Sequence, residues 1–556
     1  MTRTRAHESR QAIEKLYIIM RHLFIRGSYK PTGVSGESLI RELLTLKPEI
    51  YGLMDDPEKI ELDGLLYIID RLPAGIDECR YVRLISREGL ENSDFKNIVP
   101  PKRRRNCYRV DEHQMYVEMT RGRSDIYDIL THLTFMYIES EKIKRNSIDH
   151  KGRETLDWQK LREVVEMEQQ GLDFSEEAAY SYLSSVLGRT FEETRQAGTK
   201  FRGNSRKSLF SIVYNLGKLA IDEQMNAQDR EITFSATLRE RIGHHVYGEL
   251  WANKIKSVLL EQDLIGRPLH IISANLHSIV NVIYGYHALG RNSFEEIERL
   301  AVEISQEKKS TLAEKINAFA SKSGLIEIND TSGTNISVQL IDLAKLEAKH
   351  VAPGIEMSIT DKKKLPVLLV MDYAFGEQAY ECLDELLKPY EKDEKSWPLN
   401  VQSVSIMGKA GILQGKKGDI MIPNAHVFEG TADNYPIKNG FKAKDFEGFG
   451  LNVYEGTMIS VLGTSLQNRD VLRYFMNSSW QAIGLEMEGA HYQKAIQAAS
   501  KIRNNINKNV KLFYAYYASD NPLETGSTLA SGGLGSEGIR PTYLISLNII
   551  KKIFSQ

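Results

Sequence analysis

The sequence predicts an α/β protein in two parts: a mainly α-helical N-terminal region over residues 1–255, then a three-layer α/β/α domain around a mixed sheet over residues 266–556. Three observations carry this. Up to about residue 255 the apolar residues recur at helical spacing. From about residue 266, short apolar runs end in polar or glycine-bearing tips and lead into helical segments, the alternation that builds a largely parallel sheet with helices on both faces. Leu365–Met371 is an unbroken apolar run, as in a strand buried on both sides.

The elements follow in order. Ala12-Ile13-Leu16-Tyr17-Ile19-Met20-Leu23 forms one amphipathic helix, and Ile126-Leu130-Leu133-Met136-Tyr137 another, opened by Ser124-Asp125 as an N-cap pair. Ala178–Leu187 and Leu209–Ala220 repeat the pattern, Gly198–Ser205 reads as a polar loop, and Pro100-Pro101 divides the helical region. Then come a strand at Pro268–Ser273 with its tip at Ala274–Ser278, one or two helices over Phe294–Ala320, and an alternating segment at Ile336–Leu340. Leu365–Met371 has its tip at Asp372–Gly376 and a helix from Glu377 to Leu387. Val401–Met407, Gly418–Pro423, Gly456–Leu462, Ala482–Leu485 and Val510–Tyr516 are further strands, and Thr542–Phe554 is a closing helix.

Composition narrows the function classes. The 556 residues are 42% hydrophobic and 26% charged, with a net charge of -2, so no global field favours nucleic acid or an acidic membrane. The 3 cysteines, Cys79, Cys107 and Cys382, are widely spaced and suit a reducing compartment; the cytoplasm is the expected location. No run of ~18 apolar residues predicts a membrane span. Gly533–Gly538 matches GxGxxG without the βαβ unit that would follow, and Gly411–Lys417 lacks phosphate-loop spacing. His244-His245 has no metal-ligand partner, so neither metal nor cofactor is expected. Lys102–Arg105 reads as a solvated basic run, with phosphate binding as the rival reading.

Chemistry concentrates at the strand tips of the last third. Glu486, Glu488 and Asp520 each end an apolar run, and strand tips are where open α/β sheets bind ligands. Three carboxylates there can hold hydroxyl groups and deliver a proton, the equipment for cleaving a sugar–base bond.

The order Gly408-Lys-Ala-Gly411, Gly418-Asp-Ile420, Glu486-Met-Glu488-Gly489-Ala490 and Ser519-Asp520 resembles the nucleoside phosphorylase superfamily of phosphorylases and nucleosidases. The resemblance covers residues 270–556 in outline. Ser519-Asp520-Asn521-Pro522-Leu523 is closest to the AMP nucleosidase branch, which also carries an extra N-terminal domain. It implies a phosphorylase-like fold and roles residue by residue. Glu488 would bind the ribose hydroxyls with Met487 packed on the sugar and Glu486 beside them; Asp520 would protonate the purine at N7. Gly408, Ala410 and Gly411 would form the glycine turn beside the attacking oxygen, Phe375 and Gly376 a further substrate loop, and Thr464 and Ser465 the base contact. The first tip departs from the family, offering Asn275 and His277 in place of a carboxylate or arginines. Arg267, Arg291, Arg469, Arg473 and above all Arg540 are candidate anion binders.

The resemblance implies cleavage of the N-glycosidic bond of a purine nucleotide or nucleoside, with hydrolysis of a nucleotide such as AMP in front. Phosphorolysis with inorganic phosphate is one alternative, and an inactive nucleotide-binding sensor on the same fold is another. A homo-oligomer is expected, with no nucleic-acid or membrane partner.

Overall fold

The computed structural model describes residues 4–204, 207–290, 294–306, 311–346, 350–352, 355–356, 364–431, 433–524 and 535–555. Two compact units emerge, Met1–Thr120 with Asp125–His244 and Ser465–Val471, and Arg121–Ser124 with His245–Thr464 and Leu472–Gln556. Among the described residues no helix is long and apolar enough to cross a membrane.

The helical periodicity of the first unit is realised in Arg5–Arg26, Gly122–Ser147, Glu176–Leu187 and Leu209–Asn226. Arg5–Arg26 shows why. Thr4 accepts from the His7 N–H at its start, Gly27 in the left-handed region (φ 88°) closes its end, and Ala12, Leu16, Met20 and Leu23 form its buried stripe.

Among these helices lies a sheet that the periodicity did not reveal. Its strands are β1 (Ser28–Tyr29), β2 (Tyr81–Ile85), β3 (Asn97–Ile98), β4 (Cys107–Arg109), β5 (Gln114–Glu118) and β6 (Glu231–Phe234), in the order β1-β6-β2-β5-β4-β3. β2 pairs in parallel with β5 and β6; the edges are antiparallel. Strands of two to five residues are too short to declare a period.

Three expectations change. Pro100-Pro101 lies between β3 and β4, inside the first unit. The predicted loop at Gly198 is helical within Phe191–Asn204, its glycine required because a Cβ there would collide with the Tyr180 hydroxyl; Ser205 lies outside the described residues. Lys102–Arg105 is solvated only in part: Lys102 and Arg104 are exposed, while Arg103 and Arg105 turn inward. Arg105 is buried with its Nη2 2.8 Å from Asp125 Oδ1 and 2.7 Å from Asp128 Oδ2, Arg103 also bonds Asp128, and Lys102 pairs with Asp70. Acids on the adjoining helix draw the guanidinium groups inward.

The second unit contains β7 (Leu269–Ser273), β8 (Leu325–Ile328), β9 (Val338–Asp342), the hairpin β10–β11 (His350–Ala352 and Ile355–Glu356), β12 (Val367–Met371), the hairpin β13–β14 (Tyr390–Lys392 and Lys395–Trp397), β15 (Val401–Ile412), β16 (Ile420–Phe428), β17 (Asn434–Pro436), β18 (Val453–Ser460), β19 (Ala482–Glu486) and β20 (Lys511–Asp520). Ten of these form one mixed sheet ordered β17-β16-β18-β19-β15-β7-β12-β9-β8, with β20 paired to both β15 and β16. That double pairing closes β16, β18, β19, β15 and β20 into a ring. The three-layer expectation is therefore modified: helices cover both faces, but the sheet closes on itself at one end.

β12 explains the layers. Val367, Leu369 and Met371 join one core cluster with Trp251, Ile255 and Leu383; Leu368 and Val370 join the other with Ile316, Leu544 and Ile549. The helix Val246–Glu261 contributes Trp251 and Ile255, so it packs on this sheet rather than with the N-terminal helices.

Candidate active site at the strand ends of the second unit

β15 brings the site together. Its first half lies beside β7, while its last two residues turn to β19, Gly411 opposite Leu485 and Ile412 opposite Gly484. On the other side Gly411 is registered with Asp520 of β20. The ends of β19 and β20, carrying Glu486 and Asp520, thus flank the same residues of β15. Gly408–Gly411, expected from sequence to be a turn, is instead part of this strand. Gly408 is needed because Tyr516 is its partner on β20, and a Cβ would stand 2.5 Å from the Tyr516 ring.

Glu486 faces protein. Its carboxylate accepts from Ser460 Oγ, at the end of β18, and from the N–H groups of Glu488 (2.5 Å) and Gly489. Ser460 Oγ in turn accepts from the Ala490 N–H at 3.0 Å. The acid therefore caps the helix Gly489–Gln497, where orphan N–H groups favour an anion, and fixes the turn that carries Glu488. Burial pushes its pKa up to about 7, against the opposing pull of these hydrogen bonds. A pKa raised on folding gives stability that is full below the unfolded value of ~4.3 and is lost as pH rises through about 7. Glu486→Gln keeps the acceptor and can donate to Ser460, so it is expected to flatten the fall in urea stability between pH ~4.3 and about 7.

Glu488 is set toward the β12 tip. Its Oε1 accepts from the Gly376 N–H at 2.9 Å. Gly376 has φ 55°, and a Cβ there would collide with Ser124 and lie 3.6 Å from Met487 Cε. Ser124, expected to cap the helix, lies inside it instead, within Gly122–Ser147; its Oγ accepts from the Glu377 N–H at 2.9 Å. Arg123 stands 3.6 Å from Glu377, and the Arg121 guanidinium lies 5.3 Å from the Phe375 ring centre. One turn beyond Glu488, the Tyr492 hydroxyl meets Ser273 Oγ, at the end of β7, at 3.0 Å.

Asp520 is buried at the end of β20. Its Oδ2 has no hydrogen-bond partner among the described residues. Ser519 Oγ reaches both Asp520 Oδ1 and, at 3.1 Å, the Ala410 carbonyl, yet has one hydrogen to donate. A protonated Asp520 donating to Ser519, which donates to Ala410, satisfies all three. Burial raises the Asp520 pKa, opposed by the Ser519 bond and by Lys409 and Lys417, in keeping with that reading.

Sequence reading missed an aromatic group at the end of β16 and in the first turn after Glu488. Phe428 ends β16, its ring centre 4.8 Å from His491 in the first turn after Glu488 and 6.0 Å from Tyr435. Nearby, His426 Nε2 and the Tyr516 hydroxyl share a hydrogen bond of 2.8 Å, and a Cβ on Gly489 would collide with both. Burial lowers the pKa of His426 and of His491 to about 3, so both are neutral rings. His426, a lone imidazole in an apolar strand, was the available signal.

The remaining candidates disperse. Asn275 caps the helix Leu276–Val280, accepting from the Ser278 N–H at 3.0 Å, and His277 is exposed. Thr464 opens a short 3-10 turn of the second unit, whereas Ser465 belongs to the first, within hydrogen-bond reach of Tyr51. Arg540, the favoured anion binder, pairs with Glu298 at 3.0 Å and donates to the Phe449 carbonyl. Arg267 is engaged by Asp342, Arg469 by Glu49, and Arg473 is exposed. Arg291, and Gly533 and Leu534 of the GxGxxG match, lie outside the described residues.

Among solved structures, the chain is similar to Campylobacter jejuni 5′-methylthioadenosine/S-adenosyl homocysteine nucleosidase, at 10% identity and a TM-score of 0.31 over 52% of this chain and 100% of that one. Futalosine hydrolase of Helicobacter pylori aligns at 13% identity and a TM-score of 0.30 over 52% and 99%. Isoform 2 of uridine phosphorylase from Schistosoma mansoni aligns at 11% and 0.29 over 55% and 90%. Among curated proteins none matches. The family model DUF6909, described as a family of unknown function, matches residues 37–301 and 300–555, and the chain belongs to that family.

Proposed function

We propose that the second unit cleaves the N-glycosidic bond of a purine nucleotide or nucleoside, hydrolysis of a nucleotide such as AMP being the leading reading. The observation that carries it is a pair of unlike acids at neighbouring strand ends: Glu488, pinned to the Gly376 N–H, and Asp520, buried with one oxygen unpartnered among the described residues.

The roles follow from the environments. Glu488 accepts from the ribose hydroxyls and steadies the positive charge that develops on the sugar. With substrate bound, Ser519 turns its hydrogen to Asp520 Oδ1 and the acid's proton sits on Oδ2, the oxygen without a partner among the described residues. Asp520 gives that proton to the purine N7 as the bond from the base nitrogen to C1′ breaks and its electron pair leaves with the base. Water adds its oxygen to C1′ and releases a proton, so the products are free base and sugar phosphate. Phe428 and His491 offer rings against which a base can stack. Arg121 and Arg123, at the Phe375–Glu377 tip, provide the positive charge that Arg540 does not.

Base release from AMP, adenosine, inosine, guanosine and methylthioadenosine, with and without phosphate, tests the reading. Release without phosphate supports hydrolysis; strict dependence on phosphate replaces it with phosphorolysis; no release from any of them refutes it. Arg123→Ala is expected to lower kcat/KM for AMP about tenfold, the loss of one charge-assisted contact, and to spare adenosine.

A further inference from the structure

The first unit contains a cavity of about 670 Å³ that the reaction above does not use. Packing does not account for it, since protein interiors leave few voids larger than a water molecule. This one would hold roughly twenty waters at ~30 Å³ each. Its volume falls within the range of sites that enclose small molecules, ~300–1,000 Å³.

The wall decides the ligand. Leu65, Ile68, Leu72, Met136, Ile212 and Leu216 line the deep part, contributed by helices Leu62–Ile69, Gly122–Ser147 and Leu209–Asn226 and the turn after the first of them. All six residues are at most 2% exposed. Water filling such a space would find few polar partners.

Charge sits elsewhere on the lining, and most of it is already matched. Asp77 accepts from Lys207 at 3.1 Å and from Asn215 Nδ2 at 2.7 Å. Lys207 also bonds Glu78. Asp70 pairs with Lys102 at 2.6 Å. The remaining charged residue of the lining is Lys96, exposed on the segment leading into the edge strand β3; among the described residues it forms no ion pair. An apolar interior with one uncompensated cation on an exposed segment suits an amphipathic anion, its chain inside and its head outward.

We propose that this cavity binds a medium- or long-chain carboxylate, the chain among Leu65, Met136, Ile212 and Leu216 and the carboxylate at Lys96. It would be a second ligand site, separate in chemistry from the carboxylate-lined strand ends of the other unit.

Titration calorimetry of the full chain with decanoate, octanoate and decanol tests this. Decanoate is expected to saturate one site in the micromolar range. Octanoate should bind about fifteenfold more weakly, since each buried methylene is worth ~0.8 kcal/mol, or about fourfold. Lys96→Glu should weaken decanoate about tenfold or more, the loss of a charge-assisted contact, and leave decanol unchanged. Leu216→Trp should intrude on the space assigned to the chain and weaken binding of both. Should that variant fail to fold, the head-group comparison at Lys96 decides alone. Absence of saturable decanoate binding, affinity independent of chain length, or equal weakening of decanoate and decanol by Lys96→Glu would each overturn the proposal.

Discussion

Asp520→Asn is expected to lower base release from AMP by ~10² to 10⁴, the usual worth of a positioned general acid, while the protein keeps its fold. The substitution changes one group. Asparagine matches the shape of aspartic acid and can donate to Ser519, so the relay to the Ala410 carbonyl survives. It has no proton to surrender to a leaving base. The pH profile adds a second readout. Burial raises the Asp520 pKa, so the acid stays protonated beyond the ordinary aspartate value of ~3.9. The parent rate should fall on the alkaline side of that raised pKa, and the variant should lack that limb. Glu488→Gln is the contrast: with the ribose contact weakened, KM rises as kcat falls, and the alkaline limb stays. An unchanged rate for Asp520→Asn would remove Asp520 from the chemistry.

The second unit was legible because its strands are buried on both faces. β12 reads as an apolar run since Val367, Leu369 and Met371 enter one core and Leu368 and Val370 the other. What the residues at the strand ends touch was not legible, because it depends on pairing distant in sequence. Glu486 and Glu488 stand two apart, yet one is consumed by Ser460 and a helix start and the other turns to Gly376. Gly408 looked like a ligand-facing glycine, whereas the demand comes from a ring 108 positions later, Tyr516. Arg121–Ser124 carried no signal at all toward Phe375–Glu377, since neither sequence pattern nor local propensity encodes that contact. In the first unit the failure was one of length: β3 has two residues and β4 three, below any readable period.

Arg105→Leu carries the largest expected cost in stability, about 3–5 kcal/mol, because removing one partner leaves buried charge uncompensated. Arg105 spans two acids one helical turn apart, and all three side chains are at most 4% exposed. Arg103 still reaches Asp128 at 3.0 Å, so the larger burden falls on Asp125. Arg105→Lys should recover only part of the loss, since an ammonium cannot reproduce the fork that meets both carboxylates. Arg105→Leu with Asp125→Leu should recover more, as the uncompensated charge disappears with its partner. Urea unfolding, with hydrogen exchange across Gly122–Ser147 to assign the loss to the first unit, reads these differences. Acid supplies the independent check. Burial would raise the Asp128 pKa, but Arg103, His132 and Arg105 outweigh it and hold that carboxylate well below the ordinary range. A lowered pKa contributes stability above the unfolded value of ~3.9, which is lost as pH falls through the folded value. Without Arg105 the folded value climbs, so acid unfolding of the first unit should begin at a higher pH than in the parent; an unshifted acid transition would mean that Arg103 and His132 hold Asp128 without it.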